Sequence, residues 1–164
     1  MFSNTQKNHQ VYRKYDSNVL TWEETIDNIN YSFKKDSHMI QYENLGFFST
    51  QADKIKKCEH IFKKIEEKNK DTRFNFTTAH LYVSFTEKSK TAGKHRDGAF
   101  VWYWQCIGKT EWTIYENDEE HIYILSPGDI IYVPRGIYHS VAPLTPRVGV
   151  SFGSELNSWD NYDN

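Results

Sequence analysis

Apolar positions in the first third of the chain recur at helical spacing, and from about Phe74 the period shortens to two. Thr21-Trp22-Glu23-Glu24 forms a capping box, in which the Thr hydroxyl and a Glu carboxylate satisfy free N–H groups of a helix start. Trp22, Ile26, Ile29 and Phe33 then fall on one stripe, which predicts a helix with one buried face. An extended piece is expected around Met39 to Tyr42. Thr50 with Asp53 predicts the opening of a second helix, with Ile55, Cys58, Phe62 and Ile65 on one stripe. Its lysines Lys54, Lys56, Lys57, Lys63 and Lys64 are interleaved with Glu59, Glu66 and Glu67, the pattern of a solvated face rather than a binding patch.

Period-two segments fill the remainder: Thr78 to Thr86, Phe100 to Ile107, Thr110 to Glu116, His121 to Leu125, Asp129 to Val133, Tyr138 to Ala142 and Arg147 to Phe152. Turn residues separate them, among them Gly108-Lys109, Asn117-Asp118, Pro127-Gly128 and Arg135-Gly136. Closely spaced strands after two helices predict a mainly β fold, a jelly-roll barrel or double-stranded β-helix with the two N-terminal helices packed on one face. The expected organisation is a single domain: a helical part over 1–72, the barrel over 73–153 and a frayed polar tail over 154–164.

Side-chain parity sharpens this picture, because alternate strand residues face opposite sides. In Thr78 to Thr86 the set Ala79, Leu81, Val83 and Phe85 is apolar, and the set Thr78, His80, Tyr82 and Ser84 is polar. Arg147 to Phe152 splits likewise into Val148, Val150 and Phe152 against Arg147, Gly149 and Ser151. The polar sets face either bulk solvent, as in an ordinary sandwich, or a polar cavity inside a barrel.

Composition narrows the partners. The 164 residues include 5 Trp, 11 Tyr and 10 Phe, enough aromatic mass for one sizeable core and too much for a disordered chain. A formal charge of −2 gives no field that would recruit nucleic acid or an anionic membrane. Cys58 and Cys106 are the only cysteines, too few for a disulfide framework or a four-thiolate zinc site, and read as core residues in a reducing compartment. The polar N-terminus carries no secretory signal and no stretch matches a membrane span, so a cytoplasmic location is expected.

The candidate chemistry lies in His95-Arg96-Asp97, the only His-x-Asp in the chain, taken together with His139, which closes the string PGDIIYVPRGIYH from Pro127. A lone triplet is weak evidence. Two imidazoles and one carboxylate on neighbouring barrel strands can occupy one face of an octahedral metal and leave three positions open, the donor set of non-heme Fe(II) oxygenases.

These residues resemble the cupin-fold 2-oxoglutarate- and Fe(II)-dependent oxygenases, in particular the JmjC-like group that includes the ribosomal oxygenases. The likeness runs from Ala79 to Gly153 through AHLYVSF, the HRD triplet, WQCIGKTEW (Trp104 to Trp112) and PGDIIYVPRGIYHSV (Pro127 to Val141). It implies a cupin barrel, Fe(II) held by His95, Asp97 and His139, and a hydroxylase that uses 2-oxoglutarate and dioxygen on a protein side chain or a small metabolite. The pattern of small-molecule cupins, two His one residue apart and a Glu soon after, is absent.

The resemblance also requires a cation for the distal carboxylate of 2-oxoglutarate. Relatives place it two residues after the hairpin glycine, where this chain has Thr110; Lys109 lies one earlier and out of phase with the interior. Arg147, eight residues after His139 with Ser151 in phase, is similar to the arginine of the wider superfamily and is the expected carboxylate partner. A solvent-facing arginine on an edge strand is its competing reading. Tyr82 and Thr110 are expected to add hydroxyl donors.

Two alternatives stay open. A cupin-type dioxygenase without 2-oxoglutarate would keep the triad and lack the Arg147 contact, and a non-catalytic binding module would keep the barrel without metal. His80 reads as a structural histidine, His121 as a surface residue, and Trp102 and Trp104 as core rather than as walls of an entrance. The short sequence after Phe152 argues against a ribosomal protein target.

Overall fold

Period-two alternation becomes two antiparallel sheets whose inner faces meet in one apolar layer. The computed structural model describes residues 8–34, 40–42, 46–52, 55–69, 74–89 and 91–156. In chain order the elements are β1 (Gln10–Tyr12), α1 (Trp22–Lys34), β2 (Ile40–Tyr42), β3 (Phe47–Gln51), α2 (Lys56–Asn69), β4 (Phe74–Ser84), β5 (Phe100–Ile107), β6 (Thr110–Glu116), β7 (Glu119–Leu125), β8 (Ile130–Val133), β9 (Tyr138–Pro143) and β10 (Arg147–Leu156). The larger sheet runs β1-β8-β5-β10-β4-β3-β2 and the smaller β7-β6-β9. This is the expected jelly roll with two helices. Among the described residues no helix is long and apolar enough to cross a membrane.

Parity divides the larger sheet between two cores. Leu81 and Val83 of β4, Trp102, Trp104 and Cys106 of β5, and Val148, Val150 and Phe152 of β10 pack with Cys58, Ile61 and Ile65 of α2. On the other face, Val101 and Tyr103 of β5 meet Trp112 and Ile114 of β6, Leu125 of β7 and Ile131 and Val133 of β8. The apolar sets therefore lie under the helical layer, and the polar sets of β4 and β10 turn into the barrel. Trp102 and Trp104 are core, as expected. Both cysteines are buried and free, and burial pushes the Cys58 thiol up to about 12.

Several expectations need correction. The stripe of α1 faces inward only in part: Ile29 packs against the core, but Trp22 and Ile26 are exposed, while Thr25, Asn28 and Ser32 are buried. The reason is polar stitching. Asn28 Nδ2 donates to the Gln51 carbonyl of β3 at 2.9 Å, and Thr25 Oγ1 donates to the Thr21 carbonyl at 2.8 Å. Thr50 does not open a helix but sits in β3, opposite Leu81 of β4; α2 begins at Lys56, and Asp53 lies outside the described residues. Phe85 is exposed rather than core, because β4 ends at Ser84. β10 continues through Leu156, where a tail was expected, because Ser154, Glu155 and Leu156 pair with Phe76, Asn75 and Phe74 of β4. The rest of that tail, 157–164, lies outside the described residues, as do Met39 and Lys54.

One contact was not anticipated, and one turn takes the form that its residues imply. His9 sits between the Glu116 carboxylate, 2.9 Å from Nδ1, and the Tyr123 hydroxyl, 2.8 Å from Nε2, and so ties the residues before β1 to the smaller sheet. Asn117 and Asp118 both adopt positive φ, 55° and 63°, the two-residue hairpin that matches strand twist between β6 and β7.

Candidate active site

The pairing of β9 with the loop before β5 builds the site. His95 and His139 form an isolated antiparallel bridge, with each N–H donating to the other's carbonyl at 2.9 and 2.8 Å. Directly opposed residues of an antiparallel pair present their side chains on the same face. The two imidazole centroids accordingly lie 4.4 Å apart. Asp97, two residues beyond His95, falls on that face by parity. The Asp97 carbonyl accepts the Gly136 N–H at 3.0 Å and pins the loop to the turn before β9.

Ring orientation follows from the second nitrogen of each histidine. His95 Nδ1 lies 2.9 Å from the Gly93 carbonyl and His139 Nδ1 lies 3.1 Å from the Ile137 carbonyl. A carbonyl oxygen only accepts, so Nδ1 carries a proton in both rings and Nε2 is the nitrogen left to ligate a metal. Both Nε2 atoms face the Asp97 carboxylate, at 3.9 Å from His95 and 3.6 Å from His139. One ligand atom from each of the three residues fits within 4.8 Å of the others. Two imidazoles backed by carbonyls and one carboxylate are a donor set suited to a divalent first-row metal. Burial lowers the His139 pKa, reinforced by His95 and opposed by the Ile137 contact and Asp97, which favours the neutral ring that metal binding needs. Trp112 stacks on His139 at 5.5 Å and 17°.

The triad opens onto a cavity of about 160 Å³ that is also bordered by Tyr82, Tyr103, Trp112, Arg147 and Ser151. Arg147 is buried, with 2% of its surface exposed. Its Nε donates to Ser84 Oγ at 3.0 Å and Nη1 to the Tyr103 hydroxyl at 2.7 Å, while the guanidinium lies 5.5 Å from the Phe47 ring. Among the described residues no carboxylate pairs with it. A buried cation held by neutral hydroxyls is costly without a counter-ion. The cavity thus has a metal-ligand set and an anion-seeking guanidinium on its walls.

Of the residues singled out in the sequence, His95, Asp97, His139, Arg147, Tyr82 and Ser151 border this cavity. Thr110 does not. It is inward-facing by parity but pairs with Pro143 at the end of β6, and its hydroxyl donates to Gln105 Oε1 at 2.8 Å. Lys109 is exposed, its backbone N–H donating to Thr145 Oγ1. Tyr103 and Ser84, which hold Arg147, were not assigned a role. Ser84 was legible as a member of the polar β4 set; Tyr103 was hidden in a strand that is apolar but for Gln105. Gly149, opposite Tyr82 in β4, makes the Tyr103 placement feasible: a Cβ there would meet the phenol ring well inside van der Waals contact.

Comparison with known proteins bears on the fold. Residues 117–162 match the family model of the JmjC domain, a segment that contains His139, Arg147 and Ser151. The ribosomal oxygenase YcfD of Escherichia coli superposes with a TM-score of 0.71 at 17% identity over 92% of this chain and 49% of its own. The YcfD complex with cobalt and 2-oxoglutarate superposes with a TM-score of 0.70 at 16% identity over 93% of this chain and 49% of that one. Oxalate decarboxylase of Bacillus subtilis superposes less well, with a TM-score of 0.51 at 15% identity over 76% of this chain and 29% of the other. The chain spans about half the length of the ribosomal oxygenase chains it matches. No curated protein matches the sequence.

Proposed function

We propose that the chain is an Fe(II)- and 2-oxoglutarate-dependent oxygenase that hydroxylates a protein side chain or a small metabolite. One observation carries this reading: the His95, Asp97 and His139 donor set and the buried, carboxylate-free Arg147 border the same cavity. A buried guanidinium beside a metal-ligand set calls for an anionic ligand, and a dicarboxylate cosubstrate supplies one. The complex of YcfD with cobalt and 2-oxoglutarate, on the same fold, supports the assignment.

The residues have distinct tasks. His95 and His139 offer Nε2 and Asp97 a carboxylate oxygen, which would occupy three positions of the ion and leave three for ligands. When bound, the iron supplies the dioxygen chemistry that couples oxidative decarboxylation of 2-oxoglutarate to hydroxylation of a substrate. Arg147, oriented by Ser84 and Tyr103, pairs with the distal carboxylate, and the hydroxyls of Tyr82 and Ser151 stand on the same wall as further donors. Phe47, Val101 and Val141 give the cavity an apolar lining that limits water around the reacting groups.

The test is anaerobic loading with Fe(II), addition of 2-oxoglutarate and then oxygen, with succinate as the readout. Wild type is expected to form succinate and Asp97→Ala to form none. Oxygen uptake without succinate would instead support a cupin dioxygenase that needs no 2-oxoglutarate, and failure to take up Fe(II) or a surrogate divalent ion would support a binding module.

A further inference from the structure

The segment that carries two of the three metal ligands is also a free edge of the smaller sheet. His95 exchanges both main-chain bonds with His139 of β9, so the N–H and C=O groups of Lys94 and Arg96 point to the opposite side of the segment, away from β9. Among the described residues no main-chain group meets them there, and Gly93, Lys94, Arg96 and Gly98 are exposed. The ligands on this segment are not sealed from solvent either: the side chains of His95 and Asp97 keep 37% and 38% of their surface. An edge of this kind is a template for an added strand. Side-chain parity sets Lys94 and Arg96 on the outer face, opposite to the His95 imidazole. There Lys94 Nζ lies 3.5 Å from the Tyr115 ring centroid and 5.9 Å from that of Tyr138, and the Arg96 guanidinium lies 5.3 Å from Tyr138. Neither cation forms an ion pair with a carboxylate among the described residues. An aromatic ring orders a cation without neutralising it, so two ordered positive charges flank His95 and stay available to an anion.

We propose that this edge docks the substrate, and that the substrate is an acidic stretch of a protein in extended conformation. The inference rests on the proposed function and narrows its two substrate classes to one. A strand added here pairs with the N–H and C=O groups of Lys94 and Arg96 and continues the smaller sheet. Its residues then alternate between the two faces of that sheet. The residue opposite His95 shares the face of the imidazole and turns toward the metal ligands, while its two neighbours stand opposite Lys94 and Arg96 on the outer face. Carboxylates at those neighbours meet the two cations. The recognised pattern is therefore an acidic residue, the residue to be hydroxylated, and a second acidic residue. A small metabolite in the cavity would reach neither the main-chain edge nor the outward-facing cations.

The experiment uses the full chain loaded with Zn(II), which does not turn over, and follows the fluorescence anisotropy of labelled peptides with identical Gly/Ser flanks. Their centres are Glu-X-Glu, Gln-X-Gln and Lys-X-Lys, where X is an equal mixture of the amino acids other than cysteine, together with the out-of-phase Glu-Ser-X-Ser-Glu. Glu-X-Glu is expected to bind about tenfold more tightly than Gln-X-Gln at low salt, with the preference shrinking as salt is added. The out-of-phase peptide should bind no better than Gln-X-Gln, because its carboxylates fall on the metal face. In Lys94→Glu/Arg96→Glu the order is expected to invert in favour of Lys-X-Lys, a gain that a misfolded variant does not show. Equal binding of Glu-X-Glu and Gln-X-Gln, a preference that survives the charge reversal, or equal binding of the out-of-phase peptide overturns the proposal. Tighter binding of a labelled single-stranded oligonucleotide than of Glu-X-Glu also overturns it, in favour of nucleic acid. The succinate assay keeps the two levels apart. Succinate formation without the charge preference removes this inference and leaves the proposed function standing, and the charge preference without succinate supports the peptide-docking edge and removes the proposed function.

Discussion

At the scale of single residues, the site is held by atoms that do not themselves touch a metal or a cosubstrate. Gly149 is the sharpest case. Gly149→Ala places a methyl against the Tyr103 ring, and the displaced phenol no longer meets Arg147 Nη1. The expected result is about a tenfold weaker 2-oxoglutarate affinity by calorimetry, with metal affinity unchanged, in keeping with the loss of one charge-assisted hydrogen bond. Asp97→Asn keeps the size of the ligand and removes its charge. Divalent-ion binding, followed with Co(II) by absorbance, is expected to fall by two orders of magnitude or more. The triad was legible in the sequence because His-x-Asp parity and a distant His are one-dimensional signals, and Arg147 was legible because it is in phase with Ser151 across Gly149. Tyr103 was not, since FVWYWQCI reads as an apolar run and nothing in it says which aromatic ring carries its hydroxyl into a cavity. Thr110 misled for the opposite reason: its parity was right, but strand position along the barrel axis, which parity does not encode, puts it beside Gln105.

At the scale of elements, the capping box of α1 forms as its sequence implies: Thr21 N–H donates to Glu24 Oε2 at 2.8 Å and Glu24 N–H to Thr21 Oγ1 at 3.2 Å. Thr21→Ala should cost about 1 kcal/mol in chemical denaturation and leave ligand binding untouched. The facing of α1 was read correctly for Ile29 and wrongly for Trp22 and Ile26, because helical periodicity reports only that apolar residues share a stripe. Which stripe docks is decided by Asn28 reaching the Gln51 carbonyl, a contact between elements 23 positions apart that no local pattern contains. β3 was missed for a related reason. FFSTQ does not alternate, and it is a strand because β4 offers it a hydrogen-bonding edge. The strands of the barrel proper were placed to within a few residues, β4, β6 and β10 with clear alternation and β5 and β8 as nearly continuous apolar runs.

At the scale of the molecule, several carboxylates couple stability to pH. For Asp129, burial works to raise the pKa, but N–H groups of Ser126 and Lys14 and the Arg13 guanidinium outweigh it and the net shift is downward. Asp16, opposed by burial but bonded to Lys64 and the Asn18 N–H, is also lowered, as is Glu24 beside Lys57 and Thr21. A group with a depressed folded pKa contributes stability fully above its unfolded value, about 3.9 for Asp and 4.3 for Glu. That contribution is lost as pH falls through the lower folded value. Urea midpoints should therefore be flat from pH 7 to about 5 on this account and decline below about 4. Asp129→Asn should be less stable at neutral pH and show a shallower acid decline.

The main-chain bridge between His95 and His139 links metal chemistry to strand alignment. A slip of one residue in that pairing would set Lys94 or Arg96 across from His139 and turn one imidazole to the outer surface, so the donor set exists in a single alignment of the barrel. An ion captured by both rings would then act as a latch on correct assembly, favouring the properly threaded chain over its shifted competitors during folding.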